Sequence, residues 1–321
     1  MKRHNSLKKT SALYAISIIA FLSGLHTSIP NYFNSSFLST FIDERTVSMV
    51  YLIISLLTIV GLLLMHDILR RFGNLRTSLA LILLQMVIFY GLITSSSTNM
   101  TLFLFIMGMS MITLIGLTID IFLQKSTDLG HTGSVRGIFM TVLNTAWILG
   151  PLLGRMLIEG DNYRNIYIAG FALLFPLLYV VYKNFNNFKD SHYIQVSTRE
   201  TCVRILKDKD ISKIFFINII LQTFYAWMTV YTPIYLHNTL GFSLSEISII
   251  FTIMLIPFVL VEYPLGKLAD KKWGEKEMLA IGFVIMGLST GALVFFGFKS
   301  LFAWALMLFL TRIGAATAEI M

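Results

Sequence analysis

The residues best able to do chemistry lie in one polar stretch, Glu262 to Lys276, E-Y-P-L-G-K-L-A-D-K-K-W-G-E-K. Glu262, Gly266 and Asp270 recur every four residues and so share one helix face. Gly266 removes a side chain and lets another helix approach closely. Lys267, Lys271 and Lys272 suit the negative carboxyl end of a helix that stops here, and Glu275 and Glu277 suit the positive start of the next. The chemistry is electrostatic: Asp270 is an anion on a short side chain among basic residues at a helix end. Ordinary charge placement at helix ends is the plainer reading, but the spacing and the second glycine, Gly274, favour a functional one.

Other candidates are scattered. Arg70-Arg71-Phe72-Gly73 repeats the basic part of that stretch, with Asp67 two residues early and Leu69 where the acid would stand. Asp120 and Glu319 sit just inside apolar runs, where an acid is costly unless paired, and basic loop residues are the expected partners. Glu262 and Arg312 are buried charges that should pair with each other or with loop charges. His26, Asn31, Asn144, Gln222, Tyr225 and Tyr231 are the polar and aromatic side chains that could line a cavity. His26 could titrate near neutral pH and carry protons, or could be an interhelical hydrogen-bonded histidine. There is no H-E-x-x-H, phosphate-binding glycine loop or paired-cysteine motif, so no catalytic residue, metal or cofactor is expected.

The elements that position these residues are long and apolar. The chain is 56% hydrophobic and 13% charged, against roughly 25% charged in soluble domains. Ten runs approach the ~20 residues that cross a bilayer: 12–33, 46–66, 77–95, 100–124, 135–158, 164–183, 212–236, 245–268, 277–297 and 301–321. The fold class is therefore all-α and polytopic, with a lipid bilayer as partner. Of the 25 Lys and Arg, 20 lie in the amino terminus and in the segments after the second, fourth, sixth and eighth runs. That bias puts the amino terminus and the Glu262–Lys276 hairpin in the cytoplasm, and it explains the net charge of +8 without nucleic acid. The single cysteine, Cys202, excludes a disulfide framework, and no cleavable signal peptide is evident.

The polar segment 184–211 separates a first bundle, 1–183, from a second, 212–321. It reads as a cytoplasmic linker with room for a short amphipathic helix near Thr198–Leu206. The two parts echo each other. Pro30-x-Tyr32 returns as Pro233-x-Tyr235, and at the same shift Asp43 matches Glu246 and Asp67 matches Asp270.

Gly266-x-Leu268-Ala269-Asp270-Lys271-x-x-Gly274 resembles the loop signature of the major facilitator superfamily of secondary transporters. Gly150-Pro151-Leu152-Leu153-Gly154 resembles the helix-5 signature of its proton-coupled drug antiporters, although Ala146 and Arg155 stand where that signature has glycines. The plain physical meaning of these residues is a kink and a close helix contact. The resemblance implies two pseudo-symmetric six-helix bundles, a substrate site between them, and a latch from Asp270 to the helix start at Gly133–Arg136, with Arg136 adding charge. Twelve helices are implied, so the ending at Met321, inside an apolar run, is expected to leave the last two out. The function implied is movement of a small solute by alternating access in the cytoplasmic membrane, with protons as a candidate coupling ion. The alternatives are a receptor or scaffold using the same fold without transport and, more weakly, a membrane enzyme.

Overall fold

A computed structural model describes residues 2–126, 132–160, 162–190, 193, 197–261, 275–295 and 299–319. The long helices are α1 (Lys2–Asn31), α3 (Glu44–Phe72), α4 (Asn74–Thr94), α5 (Thr98–Ser126), α6 (Thr132–Leu157) and α7 (Arg164–Phe185), with a short α2 (Asn34–Ser39) after α1. A linker helix α8 (Thr198–Lys207) follows. Then come α9 (Lys209–Thr239), α10 (Leu244–Leu260), α11 (Glu275–Ala292) and α12 (Leu301–Glu319). The linker helix falls where the sequence leaves room for it. α9 begins three residues before its expected start because Asp208 caps it, accepting from the amides of Asp210 and Ile211.

Eight of the described helices are long and apolar enough to cross a membrane. α10 is shorter within the described residues. α1 is less apolar because it carries Ser23, His26, Thr27, Ser28 and Asn31, and it packs chiefly on α6 and α7, where His26 and Ser28 are buried. By contrast α3 turns Leu52, Leu56, Ile59 and Leu63 outward, the pattern of a helix solvated by lipid on one face.

Glycine sets the closest helix approaches, as small residues do in membranes. A side-chain carbon at Gly154 of α6 would come within 2.5 Å of the Ile29 carbonyl and the Phe33 ring, and one at Gly150 would strike Ser28. Ser28 Oγ also donates to the Ala146 carbonyl at 2.9 Å. In the second bundle Gly282 and Gly314 bring α11 and α12 together: a side-chain carbon at Gly314 would lie 2.6 Å from the Gly282 carbonyl. α6 and α10 then pack across the boundary between the bundles.

Helix starts follow the repeat with one change of register. Asp43 caps α3, accepting from the Thr46 amide at 2.9 Å. Its sequence echo, Glu246, is not the cap of α10. Ser243 is, and Glu246 closes a capping box three residues later. At the far end of α3, Gly73 turns the chain with φ 77°. The acid at the start of α4 comes from the linker: Asp190 Oδ1 accepts from the Asn74 amide and from Tyr193 Oη, each at 2.7 Å.

Candidate functional site

The bundle boundary encloses a cavity of about 300 Å³. The first bundle contributes Tyr32, at the α1–α2 junction, and Met140, Leu143, Asn144 and Trp147 of α6. The second contributes Tyr225 and Thr229 of α9, Leu255 and Phe258 of α10, and Arg312 of α12. Thr229 belongs to a π-helical turn, Trp227–Tyr231, and a second one follows at Tyr235–Thr239. Pro233 lies between them; it has no N–H for the helical ladder, and widening the turns accommodates its ring.

Arg312 dominates the electrostatics. The residue is 3% exposed. The guanidinium stands 5.2 Å from the Tyr225 ring centroid, 5.6 Å from Phe258 and 5.7 Å from Phe224, so cation–π attraction offsets part of its desolvation. It is within electrostatic reach of the Tyr32 phenol across the boundary. Tyr32 itself packs on Phe251 and, edge-on, on Trp147. Arg312 Nε makes no hydrogen bond, and among the described residues no carboxylate pairs with it. The expected partner, Glu262, lies outside the described residues.

The remaining sequence candidates divide. Asn144 and Tyr225 line the cavity with Arg312. His26 is buried in the first bundle, with Nδ1 3.0 Å from the Gly170 carbonyl and Nε2 3.3 Å from Gln85 Nε2, and it ties α1 to α4 and α7. It also lines a second cavity of about 250 Å³ with Asp120, beside the first and sharing Leu143 and Trp147. Asp120 accepts from Gln124 at 2.6 Å and pairs with no loop arginine among the described residues. Gln222 is exposed, because it falls on the outer face of α9, and Asn31 is half-buried beside α2; neither lines the central cavity. Tyr231 is exposed as well and donates to Ser48 Oγ at 3.0 Å. Asp67, Arg70 and Arg71 are exposed at the end of α3. Gly266, Asp270, Lys271, Lys272 and Gly274 lie outside the described residues, as do the side chains of Arg136 and Glu319.

Sequence reasoning missed Tyr32, Trp147, Thr229, Phe224 and Phe258. The available signals were Pro233, which re-aims Thr229, and an arginine in an apolar run, which calls for aromatic faces when no acid is near.

Hydrogen bonds join the bundles at the end of the molecule that carries α2. Tyr231 meets Ser48 there, Asn238 Nδ2 donates to Glu44 at 2.8 Å, and Arg155 Nε donates to Ser245 Oγ at 2.7 Å. The short Thr232–Ile234 segment of α9 packs against α2 at the same end.

Two helical bundles around a shared, mostly apolar cavity that holds one buried arginine define a membrane transporter architecture. Residues 16–321 match the family model of the Major Facilitator Superfamily, and the chain belongs to that family. No curated protein matches it. Its fold is similar to that of a bacterial homolog of the human lysosomal transporter Spinster, in an inward-facing and unoccupied conformation. The TM-score is 0.68 at 10% identity, over 97% of this chain and 74% of that one. It is also similar to a bacterial Spinster homolog in an inward-facing and occupied conformation, at a TM-score of 0.66 and 12% identity, over 95% and 71% of the two chains.

Proposed function

We propose that the protein moves a small solute across the cytoplasmic membrane by alternating access, using the cavity at the bundle boundary as its binding site. The observation that carries this reading is the pairing of a partly polar cavity, supplied by both bundles, with hydrogen bonds that join the bundles at the α2 end. A receptor or scaffold would have no need of an arginine held in the boundary. The Lys and Arg bias makes the α2 end the outer one, so the state described is closed outside. Asp270 and the start of α6 at Arg136 would form the opposing inner latch.

The reading includes coupling to protons through the first bundle. A carbonyl can only accept, so Nδ1 of His26 holds the proton donated to Gly170, and Nε2 accepts from Gln85. Gln85 Oε1 has no partner. Protonation of His26 would be met by a turn of the Gln85 amide, which presents that oxygen to Nε2–H. The two cavities share Leu143 and Trp147, which lets this change reach the solute site.

The test is uptake and efflux in proteoliposomes under an imposed proton gradient, using a broad mixture of metabolites read by mass spectrometry. At least one solute should accumulate only with protein and gradient present, and His26→Gln should remove the dependence on the gradient. Movement of no solute in either direction would refute transport; gradient-dependent uptake that survives in His26→Gln would refute the proton route.

A further inference from the structure

We propose that the solute this cavity takes is an apolar organic anion, bound through its carboxylate or phosphate to Arg312; this rests on the reading of the cavity as the transport site. Three aromatic faces at 5.2 to 5.7 Å address the positive charge of the guanidinium. They do nothing for its in-plane N–H donors, which only an acceptor satisfies. With Nε buried and unbonded and the residue 3% exposed, the arginine is a largely buried fork held in place by aromatic faces. Planar oxyanions match such a fork two bonds at a time.

The rest of the lining fits the remainder of such a solute. Met140, Leu143, Leu255 and Phe258 present apolar surface, and Asn144 and the Tyr32 ring stand on the opposite bundle. An anion bound to Arg312 therefore touches both bundles at once and is sensed by their relative movement. A cation has no acid to meet among the described lining residues, and a neutral solute offers an acceptor but no charge to balance the guanidinium. The nearest acid in sequence beyond Phe258 is Glu262, outside the described residues, and the experiment separates its contribution.

The measurement is calorimetric binding of three matched probes to the purified full chain: 2-naphthoate, 2-naphthylmethanol and 2-naphthylmethylammonium. Naphthoate should bind at least tenfold tighter than the alcohol, with the ammonium weakest. Arg312→Gln should erase that preference, Arg312→Lys should keep part of it, and Glu262→Gln should leave it or strengthen it. Loss of naphthoate binding in Glu262→Gln would overturn the assignment. In the unmutated protein, naphthoate should also protect Arg312 from phenylglyoxal, read by mass spectrometry, which keeps the test valid should the variants fail to fold. Equal binding of naphthoate and the alcohol, with no protection of Arg312, would overturn the anion anchor while leaving the cavity a binding site. Binding of none of the three would count against the cavity itself. Repeating the titration in phosphatidylcholine nanodiscs with and without phosphatidylglycerol identifies the source of the oxyanion: competition assigns a lipid headgroup, and its absence a soluble acid.

Discussion

In the first bundle, several buried polar side chains find one another or a backbone carbonyl, although Gln85 Oε1 is left without a partner. His26 lies between Gly170 and Gln85, Tyr167 donates to Asn34 at 2.9 Å, and Asn74 reaches the Thr118 carbonyl at 3.0 Å. In the second bundle the buried charge, Arg312, meets only aromatic faces among the described residues. Both solve the problem of a polar group where water is absent, but with different consequences. A satisfied network fixes helices in place. A charge stabilised by π faces can leave a donor unbonded, as Arg312 Nε is. The contrast teaches that the bundles share a scaffold and differ in what they do. The first ties helices together through His26, and the second holds a guanidinium whose buried Nε is unbonded.

What they share is the glycine-mediated crossing, and this is where the largest effects are expected. Gly154→Val should abolish folded protein, since its side chain would overlap the Ile29 carbonyl; overpacking a well-packed core costs about 1–3 kcal/mol, and more where the neighbour is backbone. Gly314→Val should do the same to the second bundle. Monodisperse gel filtration of either variant at the parent yield would show that the crossings are looser than described.

A middle-sized effect tests the polar network. Gln85→Ala leaves His26 Nε2 without its donor in a buried site, at a cost of about 1–3 kcal/mol. The variant should unfold at lower temperature in detergent while retaining the naphthoate preference, because Arg312 is untouched. Loss of that preference would mean the bundles do not divide their roles in this way.

Much of the scaffold is visible in the sequence because bilayer-length apolar runs and short connections leave few arrangements open. The Gly150-Pro151 stretch also reads directly, since small residues in an apolar helix have one dominant use. The cavity is harder. Asn144, Tyr225 and Arg312 stand out as polar, aromatic or charged, but Phe224 and Phe258 look like any other apolar residue until the fold brings them around Arg312. Gln222 misleads because periodicity alone does not tell which face of α9 turns inward, and the π turns around Pro233 shift that face further along the helix. Asp190 could not be matched to Asn74 because 116 residues separate the pair in sequence.

The smallest expected effect concerns a helix cap. The Thr46 amide and hydroxyl hold the Asp43 carboxyl below the usual carboxylate range. Its contribution is present above the unfolded value and is lost as the pH falls through the lowered folded value. Asp43→Asn can still cap but cannot titrate, so it should flatten the acid side of the stability curve. An unchanged acid slope in thermal unfolding would show that the cap is silent.

The claim on which the rest depends is that the bundles move against each other around the central cavity. Cysteines at Glu44 and Asn238, in a Cys202→Ser background, can be bridged by a short reducible bis-methanethiosulfonate. Proteoliposome transport of any solute the parent moves should stop when the bridge forms and return on reduction. Transport at the unbridged rate with the bridge in place would contradict alternating access.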